Sequence, residues 1–233
     1  MTSIQQRDVQ AVLAGIDELL PRLRERAQET EDLRRVPDAT VAELEEVGFF
    51  KLVQPEQWGG LQSDPTLFFE AVRRLASACG STGWAMGILG VHNWHLAQFT
   101  QQAQEDVWSD DPAVRVSSSY APMGAGVVTD DGYIVNGAWR WSSGCDHATW
   151  TFVGGPVIKD GRPVDFGSFL IPISDYKIID DWFVVGLKGT GSKTLEVKDV
   201  FVPRHRFQSF KQMSDGTAPG LATNTAPVYK MPW

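Results

Sequence analysis

Cysteine is scarce: Cys79 and Cys145 are the only two in 233 residues. Two thiols build neither a disulfide framework nor a four-thiolate metal site. Positive charge is in the minority, with 21 Lys and Arg against 29 Asp and Glu, a formal net charge of −8. No run of Lys or Arg interrupts that balance, so no nucleic-acid partner is expected. The opening MTSIQQRDVQ lacks the basic head and apolar core of a signal peptide, and the cytoplasm is the expected compartment. Residues 75–104 contain no Asp, Glu, Lys or Arg, yet Ser, Thr, Asn, Gln, His92 and His95 are spread through them. That makes a poor bilayer span and a good buried helix, so no membrane partner is expected. No Gly-x-Ser-x-Gly elbow or Walker loop occurs. The glycine-rich stretch 186–192 is not a dinucleotide fingerprint, because strand-like Leu195, Val197 and Val200 follow it instead of a helix.

What is present is a globular balance, 42% apolar and 21% charged, in a length that suits one large domain or two small ones. Nine tryptophans run through the whole chain, from Trp58 to Trp233. Large aromatics fill cores, and they also line pockets for flat apolar ligands.

The apolar spacing predicts helices first and strands afterwards. Val12, Leu13, Ile16, Leu19, Leu20 and Leu23 make one helical stripe. Pro37-Asp38 opens a short helix that Gly48 closes. Ser63-Asp64-Pro65 opens another, ending near Cys79 and Gly80. Ser81 or Thr82 is expected to cap the next helix, and a short one covers residues 101–108. After Pro112 the period becomes two. Strands are predicted over residues 114–120, 182–185 and 194–202. Hairpins are predicted across Asp130-Asp131-Gly132 and Lys159-Asp160-Gly161-Arg162. Residues 214–225, rich in small and polar side chains, read as a linker. The fold class is therefore α+β: a helical domain over residues 1–111, an antiparallel β-barrel-like domain over 112–205, and a linker over 206–233.

Candidate chemistry begins with two pairs. His92 and His95 share a helix face at a spacing that can hold a metal, but no carboxylate lies between Glu70 and Glu105, so structural histidines and no metal site are expected. Cys145 and His147 on one strand face would suit a thiol with its base, against the alternative of a loop or core position. The more informative feature is hydroxyls beside aromatics: Ser117, Ser118, Ser119 and Tyr120 in one strand, Trp141, Ser142 and Ser143 in another. Strand-edge hydroxyls can bond the polar rim of a planar ring while tryptophan stacks on its face.

The segment GLKGTGSKTLEVKDVFVP at 186–203 resembles the β-domain signature of the acyl-CoA dehydrogenase superfamily, and VGFF at 47–50 with Pro55 and WGG at 58–60 resembles its helical domain. Within it, Trp84, GVHNWH at 90–95, SSY at 118–120 and WSSGCDH at 141–147 resemble the two-component flavin-dependent aromatic monooxygenases, in particular those acting on phenolic secosteroids in bacterial steroid and cholesterol degradation. The resemblance runs over essentially the whole chain. It implies reduced FMN made by a separate NADH-dependent reductase, O2 as co-substrate, a C4a-hydroperoxide, and ortho-hydroxylation of the phenol to a catechol. By motif, Trp84, Ser118, Ser119, Tyr120, Trp141, Ser142 and Ser143 become flavin contacts, with Ser143 near N5. His92 polarises or deprotonates the phenol, and Ser118 assists. The family also implies a homotetramer and a C-terminal four-helix bundle beyond Trp233, which this chain lacks. Two other readings stay open: an acyl-CoA dehydrogenase with FAD and a glutamate base, and a non-catalytic flavin-binding fragment.

Overall fold

Val9, Val12, Leu13, Ile16, Leu19 and Leu23 form a buried stripe along α1 (Ser3–Glu25), as their three- and four-residue spacing requires. The computed structural model describes residues 3–231; Trp233 lies outside the described residues. Four helices complete the first part after α2 (Ala27–Leu33): α3 (Asp38–Glu46), α4 (Pro65–Ala78), α5 (Gly80–Leu96) and α6 (Gln101–Trp108). Asp64 caps α4 by accepting the Thr66 amide at 2.8 Å, with Pro65 in the first turn. Helix α5 carries no side-chain cap. Cys79 in an extended conformation breaks the chain between α4 and α5, and Ser81 lies inside the first turn, where its hydroxyl donates to Glu31. Among the described residues no helix is long and apolar enough to cross a membrane.

Eight strands follow: β1 (Val116–Ser119), β2 (Gly124–Val128), β3 (Gly132–Ser142), β4 (Trp150–Lys159), β5 (Arg162–Pro172), β6 (Lys177–Ile179), β7 (Lys193–Pro203) and β8 (Phe207–Ser209). The sheet order is β6-β7-β3-β2-β4-β5-β8, with β1 paired to β4. Both predicted hairpins form, β2–β3 and β4–β5. The sheet is mostly but not wholly antiparallel. Strands β1 and β2 lie end to end along one edge of β4, and both run parallel to it.

Two further expectations fail. Residues 182–185 form no strand. The Asp181 carboxylate accepts both the amide (3.0 Å) and the hydroxyl (2.6 Å) of Thr194, ending the β6–β7 ladder and turning the following residues outward, where Val185 is fully exposed. Residues 214–225 are no linker either. After the short helix α7 (Phe210–Ser214), the chain straps back over the helices and buries Met213, Ala218, Val228 and Tyr229 in the core formed with α1, α4 and α5. The small side chains that resemble a linker are what this close approach needs: a Cβ on Gly220 would lie 1.9 Å from the Ala97 carbonyl oxygen. The strap is pinned by Gly220 N–H to Gln98 O (3.0 Å), Asn224 Nδ2 to Ala97 O (2.9 Å) and Tyr229 Oη to Val53 O (3.1 Å).

The sheet has its own core around Trp139, Phe169 and Leu195. A third cluster, Leu96, Phe99, Trp108, Val116, Phe152 and Leu170, joins helices to sheet. Because Tyr229 fills the helical core while donating to Val53 O, Tyr229→Ala should cost about 3–5 kcal/mol and Tyr229→Phe only about 1 kcal/mol. Denaturant melts of the two variants check this, and equal losses would contradict it.

Candidate active site

Helix α5 is buried almost all round, because its glycines let α4 approach closely. A Cβ on Gly83 would lie 2.5 Å from the Ala76 backbone, and one on Gly90 would lie 2.8 Å from the Phe68 ring. Trp84 stands out of this helix, 54% exposed. Its indole N–H donates to Ser143 Oγ at 2.9 Å.

Further along α5, His92 Nδ1 lies 2.6 Å from the Val116 carbonyl oxygen. A carbonyl only accepts, so Nδ1 carries the hydrogen and Nε2 the lone pair. Burial pushes this imidazole down to about 4, so it is neutral at pH 7. One turn on, His95 Nδ1 meets the Tyr120 hydroxyl at 2.7 Å, and its Nε2 lies 3.3 Å from Ser168 Oγ. Burial, and then the neighbouring His92, push His95 well down too. Among the described residues no third ligand joins the two imidazoles in a metal-binding group.

The strand face opposite supplies hydroxyls with different commitments. Ser117 Oγ donates to Thr151 Oγ1 (3.1 Å), and Ser119 Oγ donates to the Arg140 carbonyl (2.7 Å), tying β1 to the end of β3. Burial pushes the Tyr120 phenol up, and the Ser118 hydroxyl two residues earlier works against that shift. Trp139 and Trp141 should share a face by the period of two, yet Trp139 is fully buried and Trp141 is 58% exposed. The register of β3 against β7 slips between Trp139 and Ser142, and Trp141 takes the left-handed φ of 69°. That conformation costs a non-glycine residue roughly 1–2 kcal/mol, and here it turns an indole out to the surface. Ser142 turns inward as a result: the residue is fully buried, and its hydroxyl has no partner among the described residues.

Ser143 Oγ lies 2.7 Å from Ser192 Oγ, which lies 2.7 Å from Thr190 Oγ1, and Thr190 donates to the Leu187 carbonyl at 2.9 Å. The end of this chain fixes its direction. With the Thr190 proton committed, Ser192 donates to Thr190 and Ser143 donates to Ser192. Ser143 thus already gives its proton away and presents only acceptor capacity. Glu31 sets the loop that carries Thr190 and Ser192, accepting the amides of Lys188 (2.9 Å) and Gly189 (3.3 Å) as well as the Ser81 hydroxyl. Sequence reasoning missed Thr190, Ser192 and Glu31; the signal was the glycine-rich turn beside Lys193. A cleft of about 300 Å³ opens here, lined by Arg140, Trp141, Trp182, Val184, Ser192 and Thr194.

The structure thus brings Trp84, Ser143 and Ser192 into one cluster next to Trp141, and His92, His95, Ser118 and Tyr120 into a second, with Ser119 on β1 between them. Cys145 and His147 form no pair. They sit in a 3-10 turn rather than a strand, the thiol points at Gly191 O (3.6 Å), and burial pushes it up to about 12. His147 turns instead toward Arg35 and Asp38.

Residues 10–112 match the family described as acyl-CoA dehydrogenase, N-terminal domain. The crystal structure of the HsaA monooxygenase from M. tuberculosis superposes with a TM-score of 0.96 at 75% identity, over 97% of this chain and 59% of that one. The chain has the acyl-CoA dehydrogenase-like fold of that monooxygenase. It is 76% identical over all 233 residues to the flavin-dependent monooxygenase, oxygenase subunit HsaA of Mycobacterium tuberculosis, and spans 59% of that relative's length. XiaF from Streptomyces sp., solved with FADH2 and glycerol, is a more distant structural relative: TM-score 0.83, 29% identity, over 92% of this chain and 57% of that one.

Depressed imidazoles make stability depend on pH. His92 and His147 titrate near 4 when folded against 6.5 ordinarily, both chiefly through burial, so the unfolded chain takes up protons that the folded chain refuses. Their contribution is complete above pH 6.5 and is lost progressively as pH falls toward 4, by roughly 3 kcal/mol per group. Melting temperatures between pH 7 and pH 4 should fall steeply, and less steeply in His147→Gln; the same slope in both proteins would refute this.

Proposed function

We propose that this chain provides the flavin-facing and phenol-facing surfaces of the oxygenase component of a two-component flavin-dependent aromatic monooxygenase. The reaction is ortho-hydroxylation of a phenolic secosteroid to a catechol by O2. Reduced FMN is supplied by a separate NADH-dependent reductase. A homotetramer, a cytoplasmic location and a domain boundary near Asp111 belong to the same proposal. The observation that carries it is the cluster of Trp84, Trp141 and Ser143: two exposed indoles beside a hydroxyl that is wired to accept.

That cluster fits a reduced flavin. The ring system is flat and apolar on its faces and carries N–H donors along its edge. The indoles offer stacking surfaces, and Ser143, already donating to Ser192, offers a lone pair for an N–H such as that at N5. The buried Ser142 hydroxyl contributes nothing to such a ring, and the Ser119 hydroxyl is held by Arg140, so a contact from Ser119 falls to its backbone groups. When bound, the reduced flavin activates O2 for transfer to an aromatic carbon. The names of the relatives support this reading: an oxygenase subunit implies a partner that reduces the flavin, and XiaF was solved with the reduced form of a flavin.

His92 faces the phenol with Nε2 as acceptor. Its affinity for protons decides between polarisation and deprotonation. Burial holds this imidazole near 4, well below an ordinary phenol, so full proton transfer is uphill. His92 therefore polarises the phenol by accepting its hydrogen bond, which raises electron density at the ortho carbon without a separate phenolate. Phe152, edge-on to His92 with ring centroids 5.5 Å apart, keeps water from the far side of the imidazole.

The test is a rapid-mixing experiment with the purified protein, reduced FMN, oxygenated buffer and the phenolic secosteroid, with catechol counted per flavin oxidised. Ser143→Ala should lower that ratio about ten-fold or more, with the lost equivalents appearing as hydrogen peroxide. His92→Ala should lower catechol formation about a hundred-fold. No catechol from the unaltered protein, or reduction of its flavin by an acyl-CoA, would overturn the assignment.

A further inference from the structure

We propose that Thr190 is a positioning residue that makes the flavin site select the reduced ring over the oxidised one, acting through Ser192 on the Ser143 hydroxyl. This rests on the reading that Ser143 faces flavin N5.

A serine hydroxyl has one hydrogen and two lone pairs. An indole N–H only donates, so Trp84, at 2.9 Å, occupies one lone pair of Ser143 in any arrangement. The Ser192 hydroxyl, at 2.7 Å, takes a second position. One position is left for a ligand, and the direction of the Ser143–Ser192 bond decides its sign. If Ser143 donates to Ser192, a lone pair is left. If Ser192 donates to Ser143, the Ser143 hydrogen is left. Reduced flavin carries a hydrogen at N5, and oxidised flavin carries a lone pair there. The first direction therefore bonds the reduced ring and sets two lone pairs against each other when the ring is oxidised. The second direction does the reverse. A mismatch leaves polar groups unpaired in a water-poor contact, which costs more than a bond to solvent would return.

Thr190 selects the first direction. Its hydroxyl lies 2.7 Å from Ser192 Oγ and gives its own proton to the Leu187 carbonyl at 2.9 Å, so toward Ser192 it can only accept. Leu187 takes a left-handed φ of 56° at the start of the 3-10 turn Lys188–Thr190, and its carbonyl closes that turn. The Thr190 hydroxyl makes the shortest bond there; the Thr190 amide and the Trp182 indole N–H reach the same oxygen at 3.2 Å each. The turn has little room to relax. Glu31 holds the Lys188 and Gly189 amides, and a Cβ on Gly189 would lie 2.4 Å from Thr30 Cγ2. Thr190 and Ser192 are 2% and 5% exposed, so bulk water does not take over either bond.

The experiment is a pair of anaerobic titrations of the whole protein, one with oxidised FMN and one with reduced FMN, followed by tryptophan fluorescence. It is run on the unaltered protein, Thr190→Val, Thr190→Ser, Ser192→Ala and Ser143→Ala, with a thermal melt of each. The quantity read is the ratio of the two dissociation constants; a purely structural loss weakens both forms alike and leaves that ratio in place. We expect the unaltered protein to bind the reduced form at least about ten-fold more tightly, and Thr190→Val and Ser192→Ala to lose about ten-fold of that preference, because each frees the Ser143 hydrogen to turn outward. Thr190→Ser should keep the preference, and the double variant Thr190→Val/Ser192→Ala should be no worse than Ser192→Ala alone. No preference in the unaltered protein, an unchanged ratio in either Thr190→Val or Ser192→Ala, or equal losses in Thr190→Ser and Thr190→Val would overturn the proposal. Ser192→Ala removes a single oxygen and decides the matter if Thr190→Val fails to fold. An unchanged ratio in Ser143→Ala, or no binding of reduced FMN by the unaltered protein, would instead strike the reading of Ser143 underneath, and the proposal with it.

Discussion

Four successive side chains at the end of a charge-free helix must all find partners in the dark. On α5, His92 donates to Val116 O, Asn93 to Phe50 O (2.7 Å) and Trp94 to Val228 O (2.7 Å), and His95 meets Tyr120. These partners come from β1, the turn after α3, the C-terminal strap and the residue after β1. A buried donor left unpaired costs about 1–3 kcal/mol, so rotating or sliding α5 would break several bonds at once. The lack of Asp, Glu, Lys and Arg over residues 75–104 is the sequence counterpart of this burial. Once α5 is fixed, Trp84 is delivered to Ser143 and His92 to β1, and the two halves of the candidate site inherit their spacing from one rigid element.

A second clamp works from the other side. Glu31 on α2 holds the loop before β7 by its backbone amides and α5 by the Ser81 hydroxyl, while Lys193 reaches Asp146 at 2.8 Å. The hydroxyls of Thr190 and Ser192 are therefore set by a helical carboxylate. Neither lies near Glu31 in sequence, which is why no spacing argument could connect them.

Local chemistry was legible. Asp64-Pro65 announced α4, and Asp160-Gly161 announced the β4–β5 turn, where both residues take left-handed φ values, 51° and 73°. Pairings set by distant segments were not. The parallel run of β1 along β4 has no hairpin signal. Trp139 and Trp141 look equivalent until a register slip separates them. The strap resembles a linker because close backbone packing selects the same small residues that flexibility does. At the site, the hydroxyl-rich strands suggested a planar ligand weakly, and the resemblance supplied the roles. His95 was visible only as a potential ligand beside His92, since nothing local reveals that Tyr120 and Ser168 converge on it.

The strap also orders the chain in time. Residues of α1, α4 and α5 leave the ribosome first, yet the core they share is closed by Met213, Val228 and Tyr229, which emerge after the entire sheet. Domains commonly fold as units during synthesis, at about 5–20 residues per second. The helical part of this chain therefore spends roughly ten seconds with an open apolar seam, through the synthesis of every strand. Its first-made half is its last-finished one, and the nascent chain is most exposed to wrong contacts and chaperone capture during that interval.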